Sequence, residues 1–385
     1  MQPRLFRPTR PSKAQSPAVG RMRPLRFAIA TLLAIPLLAW PAAGSADTSS
    51  PSYSGRAYVV QASVLGAQPL APIADTGDLP STGGAQQASL LTVPPIPLGS
   101  AASFNGAEVA HATTVGQGNA SRSEASVADL SLTVVGNTIT ADFLMSRAAA
   151  QCDGSSPSVT GSSELASLSI SSINNGQPII VSTAPNQTIS LPLNAGTVMI
   201  NEQSSSLSGQ SGSMDVNALH VTITNPTGGP PLIDVIVSHA HADITCPTSP
   251  SPPQACSGTP TDFVTGGGWI VSPSDSNAKA NFAVAGGIKN GFWGHLLYID
   301  HGDGMRVKGT GVGGYDFYPD FASNGRKILG SADVNDTGGS YEADVADNGE
   351  PGIQVDKFQL LLNGVLTAPA TLLSGGNIQL HKACQ

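Results

Sequence analysis

Hydrophobic and polar residues alternate with a period of two along most of the chain after residue 100. Leu130, Leu132 and Val134 share one face of such a segment, a turn follows at 136–137, and Ile139 resumes the alternation beyond it. This pattern predicts half-buried β-strands, and the glycine and asparagine between segments predict the tight turns of antiparallel hairpins. The same arrangement recurs around residues 174–176, 194–196 and 225–229.

No segment shows a sustained helical period, and the 43 glycines and 30 prolines disfavour long helices. We therefore predict an all-β protein with two β-sandwich-like domains that follow a cleaved signal peptide. The boundary between the domains is predicted at a proline-rich linker. The predicted segments are 1–46 (signal peptide), 47–246 (first β domain), 247–257 (linker) and 258–385 (second β domain).

The amino terminus has the pattern of a secretory signal peptide. Basic residues precede an apolar run at 27–39, and the small residues 44–46 predict cleavage after Ala46. The run is short for a transmembrane helix and Pro36 interrupts it, so a retained anchor helix is the weaker alternative. We expect Sec-type export to the envelope or the medium, with translation starting at Met1 or Met22 and no membrane span in the mature chain.

The charge pattern argues against two classes of partner. The formal net charge is −8, only 11% of the residues are charged, and no basic stripe follows the amino-terminal segment. Nucleic acids and anionic lipid surfaces attract proteins through such stripes, so we expect neither as a partner.

Four cysteines in an exported chain predict two disulfides, for which three pairings exist. Sequential pairing, Cys152 with Cys246 and Cys256 with Cys384, keeps each bridge inside one predicted domain, and we predict it. A zinc site is the alternative, but the chain lacks the C-x-x-C spacing of a zinc knuckle.

Two residue sets are candidate metal ligands. His239, His241 and Asp243 would share one face of a strand, as two imidazoles and a carboxylate that suit a transition metal. The alternative is a polar stripe on a half-solvated strand. Carboxylates and carboxamides cluster on glycine turns of the second domain, where a structural calcium ion would take oxygen ligands. Their spacing approximates that of an EF-hand loop at Asp333, Asn335, Thr337 and Asp344, and ordinary turn propensity is the alternative.

No catalytic set is evident. The Asp-Thr-Gly segments at 75–77 and 336–338 fall in different predicted domains, which argues against the shared carboxylate pair of an aspartic protease. The sortase-like letters at 79–83 precede some 300 residues of predicted β domain, so we interpret them as a loop. We therefore predict that the protein is not an enzyme and needs no cofactor, apart from a possible structural calcium ion.

Several segments of the second domain resemble a β-rich module of bacterial surface proteins that often follows choice-of-anchor P regions. They are residues 262–270, 279–282, 293–296, 298–301, 346–352 and 375–382. The first domain is similar to the choice-of-anchor P family itself, through 57–60, 75–77, 125–130 and the strands before Cys152 and Cys246. The resemblance implies an exported bacterial envelope protein and no established activity.

These observations lead to an expectation about the class of function. We expect a structural or binding role outside the cell, with an envelope component, a glycan or a protein as the partner. A carbohydrate-binding or adhesive pair of modules and an extracellular metal-dependent hydrolase are the alternatives.

Overall fold

The alternating segments form β-strands throughout the computed structural model, which describes residues 50–248 and 262–382. In chain order the strands are β1 (Ser52–Val64), β2 (Gly84–Val93), β3 (Ile96–Pro97), β4 (Ala102–Gln117), β5 (Ala120–Val134), β6 (Asn137–Asp153), β7 (Ser156–Ala166), β8 (Ser169–Ile170), β9 (Gln187–Ser190), β10 (Gly196–Ser208), β11 (Ser211–Ile223), β12 (Ile233–Thr245), β13 (Phe263–Val271), β14 (Lys279–Ile288), β15 (Phe292–Asp300), β16 (Met305–Phe317), β17 (Arg326–Val334), β18 (Thr337–Ala346), β19 (Lys357–Leu362), β20 (Val365–Leu372) and β21 (Gly375–His381). Among these residues the helical segments are two 3-10 turns, Asn174–Gly176 and Pro192–Asn194. The predicted all-β class is confirmed.

The strands assemble into three antiparallel sheets. Sheet A has the order β1-β12-β11-β10-β9, and sheet B has the order β2-β4-β5-β6-β7 with β3 and β8 beside it. Sheet C has nine strands in the order β20-β19-β18-β17-β16-β15-β14-β13-β21. Sheets A and B therefore come from the first predicted domain, and sheet C comes from the second.

Sheets A and B pack face to face as a sandwich around one apolar core. Val59 of β1, Leu132 of β5, Leu219 of β11 and Val235 of β12 are fully buried in it. Alternate residues of each strand point into this core because successive side chains of a strand lie on opposite faces. Leu130, Leu132, Val134 and Ile139, to which the period-two pattern assigned the apolar face of the β5–β6 hairpin, all belong to this core.

Three predicted turns differ from the structure, and the one predicted at 194–196 lies at 191–195, between β9 and β10. The turn between β5 and β6 is formed by Val135 and Gly136, one residue earlier than predicted, and their φ angles are 45° and 74°. Asn174–Gly176 forms a 3-10 turn that no hairpin strand follows. Ile179 and Val181 nevertheless pack on the core, so their apolar character reflects burial without strand pairing.

Sheet B is covered on both faces, by sheet A and by sheet C. Bulges in its central strands change which of these two faces a side chain points towards. Before Asp129, Val127 packs in the core shared with sheet A, whereas Ala128 packs against sheet C. Asp129 has a φ of 47°, and after it Leu130 returns to the core shared with sheet A. The bulge thereby places a charged residue at the rim of the sheet instead of in a core.

A disulfide joins the two sheets of the sandwich. Cys152 near the end of β6 is bonded to Cys246, which directly follows β12, with 5.6 Å between their Cα atoms. The predicted pairing of these two cysteines is confirmed. Cys256 and Cys384 lie outside the described residues, so the second bridge stays a prediction.

Sheet C is a single nine-stranded sheet that encloses an apolar core of its own. The rings of Phe282 and Phe358 are stacked with 4.2 Å between centroids, and the buried Tyr298 lies beside them. The Asp356 carboxylate accepts hydrogen bonds from the backbone N–H of Ile378, at 2.8 Å, and of Asn348. These bonds tie the β18–β19 loop to β21.

Sheet C also packs on the face of sheet B that is turned away from sheet A. The apolar cluster between them consists of Val109, Ala128, Ala283, Leu297 and Ile299. Gly267 approaches so closely that a Cβ atom on it would lie 2.5 Å from the Oγ of Ser126. The described parts of both predicted domains belong to one compact unit. Most of the predicted linker, 247–257, lies outside the described residues, so that boundary stays a prediction.

Candidate functional site

The residues predicted to bind a transition metal lie on β12, on the outer face of sheet A. Nδ1 of His239 is 2.7 Å from Oδ1 of Asn217, and Nδ1 of His241 is 2.9 Å from Oδ1 of Asp215. Asp243 follows on the same face, about 7 Å further along the extended strand. His239, His241 and Asp243 share a face as predicted, but their ligand atoms do not converge. The arrangement matches the alternative prediction, a polar stripe whose imidazoles pair with the neighbouring strand.

The predicted calcium ligands do not converge either. They are Asp333, Asn335, Thr337 and Asp344. Asp333 pairs with Gly338 across β17 and β18, and Asp344 lies six residues further along β18, about 20 Å away. Asp344 is fully buried and accepts a hydrogen bond of 2.7 Å from Gln359. EF-hand spacing requires a loop that wraps around the ion, whereas these residues lie on an extended hairpin.

Within the described residues, one group of three side chains brings possible metal ligands together, and neither prediction included it. It consists of Glu108, Asp129 and His301, at the rim between sheets B and C. Nε2 of His301 is 3.0 Å from the Asp129 carboxylate, which raises the pKa of the imidazole. Nη1 of Arg306 is 2.8 Å from the Glu108 carboxylate. Each acidic group thus already has a basic partner, and the group is an ion-pair network between the two sheets.

A larger site opens between sheet B and the β21 edge of sheet C. We call this cavity of about 620 Å³ the interlayer cleft. Its lining consists of Arg122, Ser123, Glu124, Arg147, Ala148, Ala149, Gln151, Thr160, Gly161, Ser162, Ser163, Glu164, Thr183, Glu350, Pro351, Ile353, Asn377 and Gln379. Most of these residues are polar, and none is aromatic. The cleft therefore suits a ligand that is recognised through hydrogen bonds and charge.

Three neighbouring strands of sheet B form the floor of the interlayer cleft. Glu124 of β5 pairs with Arg147 of β6, and Arg122 pairs with Ala149. Arg147 in turn pairs with Ser162 of β7, whose Oγ accepts a hydrogen bond of 3.3 Å from Nε of Arg147. Cross-strand neighbours on one face lie side by side, so the strand register alone brings these groups together. The small Ala149 leaves the space above the floor open.

β21 and the β18–β19 loop form the opposite wall. Nδ2 of Asn377 is 3.5 Å from Oε2 of Glu124 and 3.2 Å from Oε1 of Glu350. Gln379 donates a second hydrogen bond, of 3.1 Å, to the same oxygen of Glu350. The backbone N–H of Gly376 lies 3.0 Å and 3.2 Å from the two carboxylate oxygens of Glu164. Sheet C thus supplies neutral donors to the acidic groups of the cleft.

Burial controls the charge of these acidic groups. It raises the pKa of Glu124 to about 8, so this carboxyl group carries its proton at neutral pH. Burial also raises the pKa of Glu164, although the hydrogen bond from the backbone of Gly376 opposes this shift. It likewise raises the pKa of Glu350, where the charge of Arg147 opposes the shift. The cleft therefore contains fewer negative charges than its sequence composition suggests.

Two polar atoms of the interlayer cleft lack a partner among the described residues. Oε1 of Glu124 and Nη1 of Arg147 are buried and make no hydrogen bond. Glu124 is only 8% exposed. A buried polar group without a partner costs about 1–3 kcal/mol, and such groups are rare in native proteins. Their convergence on one cavity is what a binding site shows before its ligand is bound.

Sequence reasoning missed this site, although one signal was present. Arg122, Glu124 and Arg147 are charged residues within strand segments that are otherwise rich in alanine and serine, in a chain with only 11% charged residues. Arg122 and Glu124 are two positions apart and so share a face. The hairpin of β5 and β6 was predicted, but its turn lies one residue earlier than predicted, so the register that brings Arg147 opposite Glu124 was not.

A buried histidine pair between sheets B and C makes stability depend on pH. Nε2 of His295 is 3.1 Å from Nδ1 of His111. Burial lowers the pKa of His295 to about 4 and lowers that of His111 well below its usual value. Below pH ~6.5 the unfolded imidazoles bind protons that the folded ones do not, so the free energy of unfolding should fall as the pH decreases towards 4. The expected loss is at most about 3 kcal/mol for His295.

Urea unfolding at about pH 7 and pH 5 measures this loss. The double variant His111→Gln/His295→Gln should show a smaller decrease between the two pH values than the wild-type protein. His241→Gln is the matched control. Asp215 raises the pKa of His241, so protonation of this histidine stabilises the folded protein as the pH falls. The His241→Gln variant should therefore still lose stability in acid. Equal decreases in the wild-type protein and the double variant would contradict the assignment.

No family model, curated protein or solved structure matches the chain. Within residues 50–248 and 262–382, no helix has the length and apolar character that crossing a bilayer requires.

Proposed function

We propose that this protein is an exported bacterial binding protein that holds a small polar ligand in the interlayer cleft and does not catalyse a reaction. The observation that carries the proposal is the set of buried, unpartnered polar atoms that line the open cavity. Its volume of about 620 Å³ falls within the range of small-molecule sites, about 300–1,000 Å³. A ligand that satisfies these atoms would recover the free energy that their burial costs.

Features of the chain support export. The amino-terminal pattern is that of a signal peptide, and the disulfide between Cys152 and Cys246 suits an oxidising compartment. The resemblance to choice-of-anchor P proteins points the same way. We place the mature protein outside the cell or in loose association with the envelope, where glycans are abundant ligands.

Filling the interlayer cleft should weaken binding. Ala149→Leu adds three carbon atoms to the floor, where Ala149 leaves space between Arg122 and Thr160. Isothermal titration of the wild-type protein with D-glucose, N-acetyl-D-glucosamine, D-galacturonate and tri-D-galacturonate should reveal at least one ligand that binds with 1:1 stoichiometry. Ala149→Leu should weaken that ligand at least about tenfold, which corresponds to 1.4 kcal/mol.

Ala370→Leu is the matched control, because Ala370 is exposed on β20, at the far edge of sheet C. It should bind the same sugar as tightly as the wild-type protein. If Ala149→Leu also bound it with unchanged affinity, the ligand would lie outside the cleft and the proposal would be wrong. Failure of every sugar to bind would contradict a glycan-binding role.

Glycoside hydrolysis is a second candidate, favoured by one observation. Asn377 lies within hydrogen-bonding distance of both Glu124 and Glu350, so a protonated carboxyl group and a second carboxyl group lie close together. Such a pair can act as acid and base on a glycosidic bond. Release of reducing ends from polygalacturonate that disappears in Glu124→Gln would identify a hydrolase. Binding by Glu124→Gln without any release in the wild-type protein supports the binding role.

A further inference from the structure

The polar groups of the interlayer cleft that lack a hydrogen-bond partner are mainly donors. The guanidinium of Arg122 makes no hydrogen bond and no ion pair within 4.0 Å to any described residue. Nη1 of Arg147 makes no hydrogen bond, and the nearest carboxylate oxygen, in Glu350, is 3.7 Å away. The protonated Glu124 can donate as well. These groups lie on adjacent strands and face the same space.

Two carboxylates of the cleft, in contrast, already accept hydrogen bonds. Glu164 receives both of its contacts from the backbone of Gly376. Oε1 of Glu350 accepts from two side-chain amides, those of Asn377 and Gln379. A cationic ligand would therefore compete with these bonds. A negatively charged acceptor, on the other hand, would meet Nη1 of Arg147, which makes no hydrogen bond, and the guanidinium of Arg122.

Burial increases the free-energy cost of leaving the Arg122 charge without an anionic partner. Partial desolvation lowers the pKa of its guanidinium, and the charges of Glu350 and Asp347 oppose this shift only from a distance. An arginine remains charged under such conditions and pays a desolvation cost that an anion would offset. Two guanidinium groups are also well matched to the two oxygens of a carboxylate.

The remaining lining residues suit sugar hydroxyl groups. Gln151, Thr160 and Ser162 lie on the floor beside the arginines, and Gln379 lies on the opposite wall. Amide and hydroxyl side chains donate and accept hydrogen bonds, as sugar hydroxyls require. The lining contains no aromatic side chain on which a neutral sugar ring could stack, so charge has to supply much of the affinity.

From this arrangement we infer that the ligand is an acidic sugar, a hexuronate unit whose carboxylate is bound by Arg122 and Arg147 and whose hydroxyl groups are bound by the polar rim. The inference rests on the proposed function, because it names the ligand class of the same cleft.

Methyl esterification tests the role of the carboxylate, because it removes the charge and leaves the sugar hydroxyls in place. In isothermal titration at about pH 6, tri-D-galacturonate should bind the full mature protein about 10- to 100-fold more tightly than its methyl ester, as expected for hydrogen bonds between charged groups. D-Galactose 6-sulfate, compared with D-galactose, tests whether a sulfate is recognised instead. Stronger binding of the sulfate than of the galacturonate would overturn the assignment to a carboxylate.

Two variants assign the recognition to residues. Arg122→Gln should weaken tri-D-galacturonate about 10- to 100-fold and leave the methyl ester unchanged. Because Arg122 has no partner in the described structure, this variant should retain the melting temperature. Arg147→Gln should act in the same direction, and Ala370→Leu, far from the cleft, should bind the acid like the wild-type protein.

The outcomes separate the inference from the proposed function. If tri-D-galacturonate failed to bind, or if the ester and the acid bound equally, the inference would be wrong. It would also be wrong if Arg122→Gln bound both sugars like the wild-type protein while Ala149→Leu still weakened binding. In that case the cleft would remain a sugar site. Unchanged binding of the acid by Ala149→Leu would instead overturn the proposed function.

Discussion

Replacing Cys152 and Cys246 together by alanine should lower the free energy of unfolding by about 4–5 kcal/mol. The bond joins residues separated by 94 positions in the sequence. It therefore closes a long loop and lowers the conformational entropy of the unfolded chain. Both cysteines are also buried in an apolar cluster with Met214 and Val216, where the two sheets of the sandwich meet. Urea unfolding followed by circular dichroism measures the change.

The reduced wild-type protein serves as the control for this variant. Reduction keeps the sulfur atoms of Cys152 and Cys246 in the cluster and opens the predicted bridge between Cys256 and Cys384 in both proteins, so the reduced wild-type protein should unfold at a urea concentration close to that of the reduced double variant. If the oxidised wild-type protein and the double variant had equal midpoints, the bond between sheets A and B would contribute nothing, contrary to this account.

Truncation of the central ring of sheet C should have an effect of similar size. Phe358→Ala should cost about 3–5 kcal/mol, because the ring is fully buried against Phe282 and Tyr298 and its removal leaves a cavity. Thermal unfolding by calorimetry gives the loss. Phe292→Ala is the control, since Phe292 is 49% exposed at the start of β15, and it should cost less than about 1 kcal/mol. Equal losses for the two variants would mean that Phe358 does not lie at the centre of a packed core.

The sequence pattern predicted the strands well because period two reports directly which side chains are buried. Leu130, Leu132 and Val134 do share the core face of β5. The pattern failed where backbone geometry departs from regular strands. The bulge at Asp129 changes the face of the strand, and the turn at Val135 has a conformation that β-branched residues rarely adopt.

Candidate sites were harder to predict, because they depend on which strands are neighbours. His239 and His241 were correctly placed on one face, but the side chains that pair with them, Asn217 and Asp215, come from β11. Asp333 and Asp344 are close in sequence and yet lie on an extended hairpin that separates them. Local spacing cannot distinguish a wrapped loop from such a hairpin.

The interlayer cleft shows the same limit most clearly. Glu124 and Arg147 belong to sheet B, whereas Glu350 and Asn377 belong to the second predicted domain. These residues lie close together only because sheet C packs on sheet B. The sequence of either segment alone does not indicate this packing. What the sequence does show is that charge is sparse in the strands of sheet B, so each charged residue there requires a specific explanation.

A crystal structure of the mature protein bound to tri-D-galacturonate tests the central claim most directly. We predict density for one sugar in the interlayer cleft, with its carboxylate within hydrogen-bonding distance of the guanidinium groups of Arg122 and Arg147. Oε1 of Glu124 should contact the same sugar. Density for the sugar on another surface, such as the outer face of sheet A beside His239, with the cleft occupied by water alone, would contradict the claim.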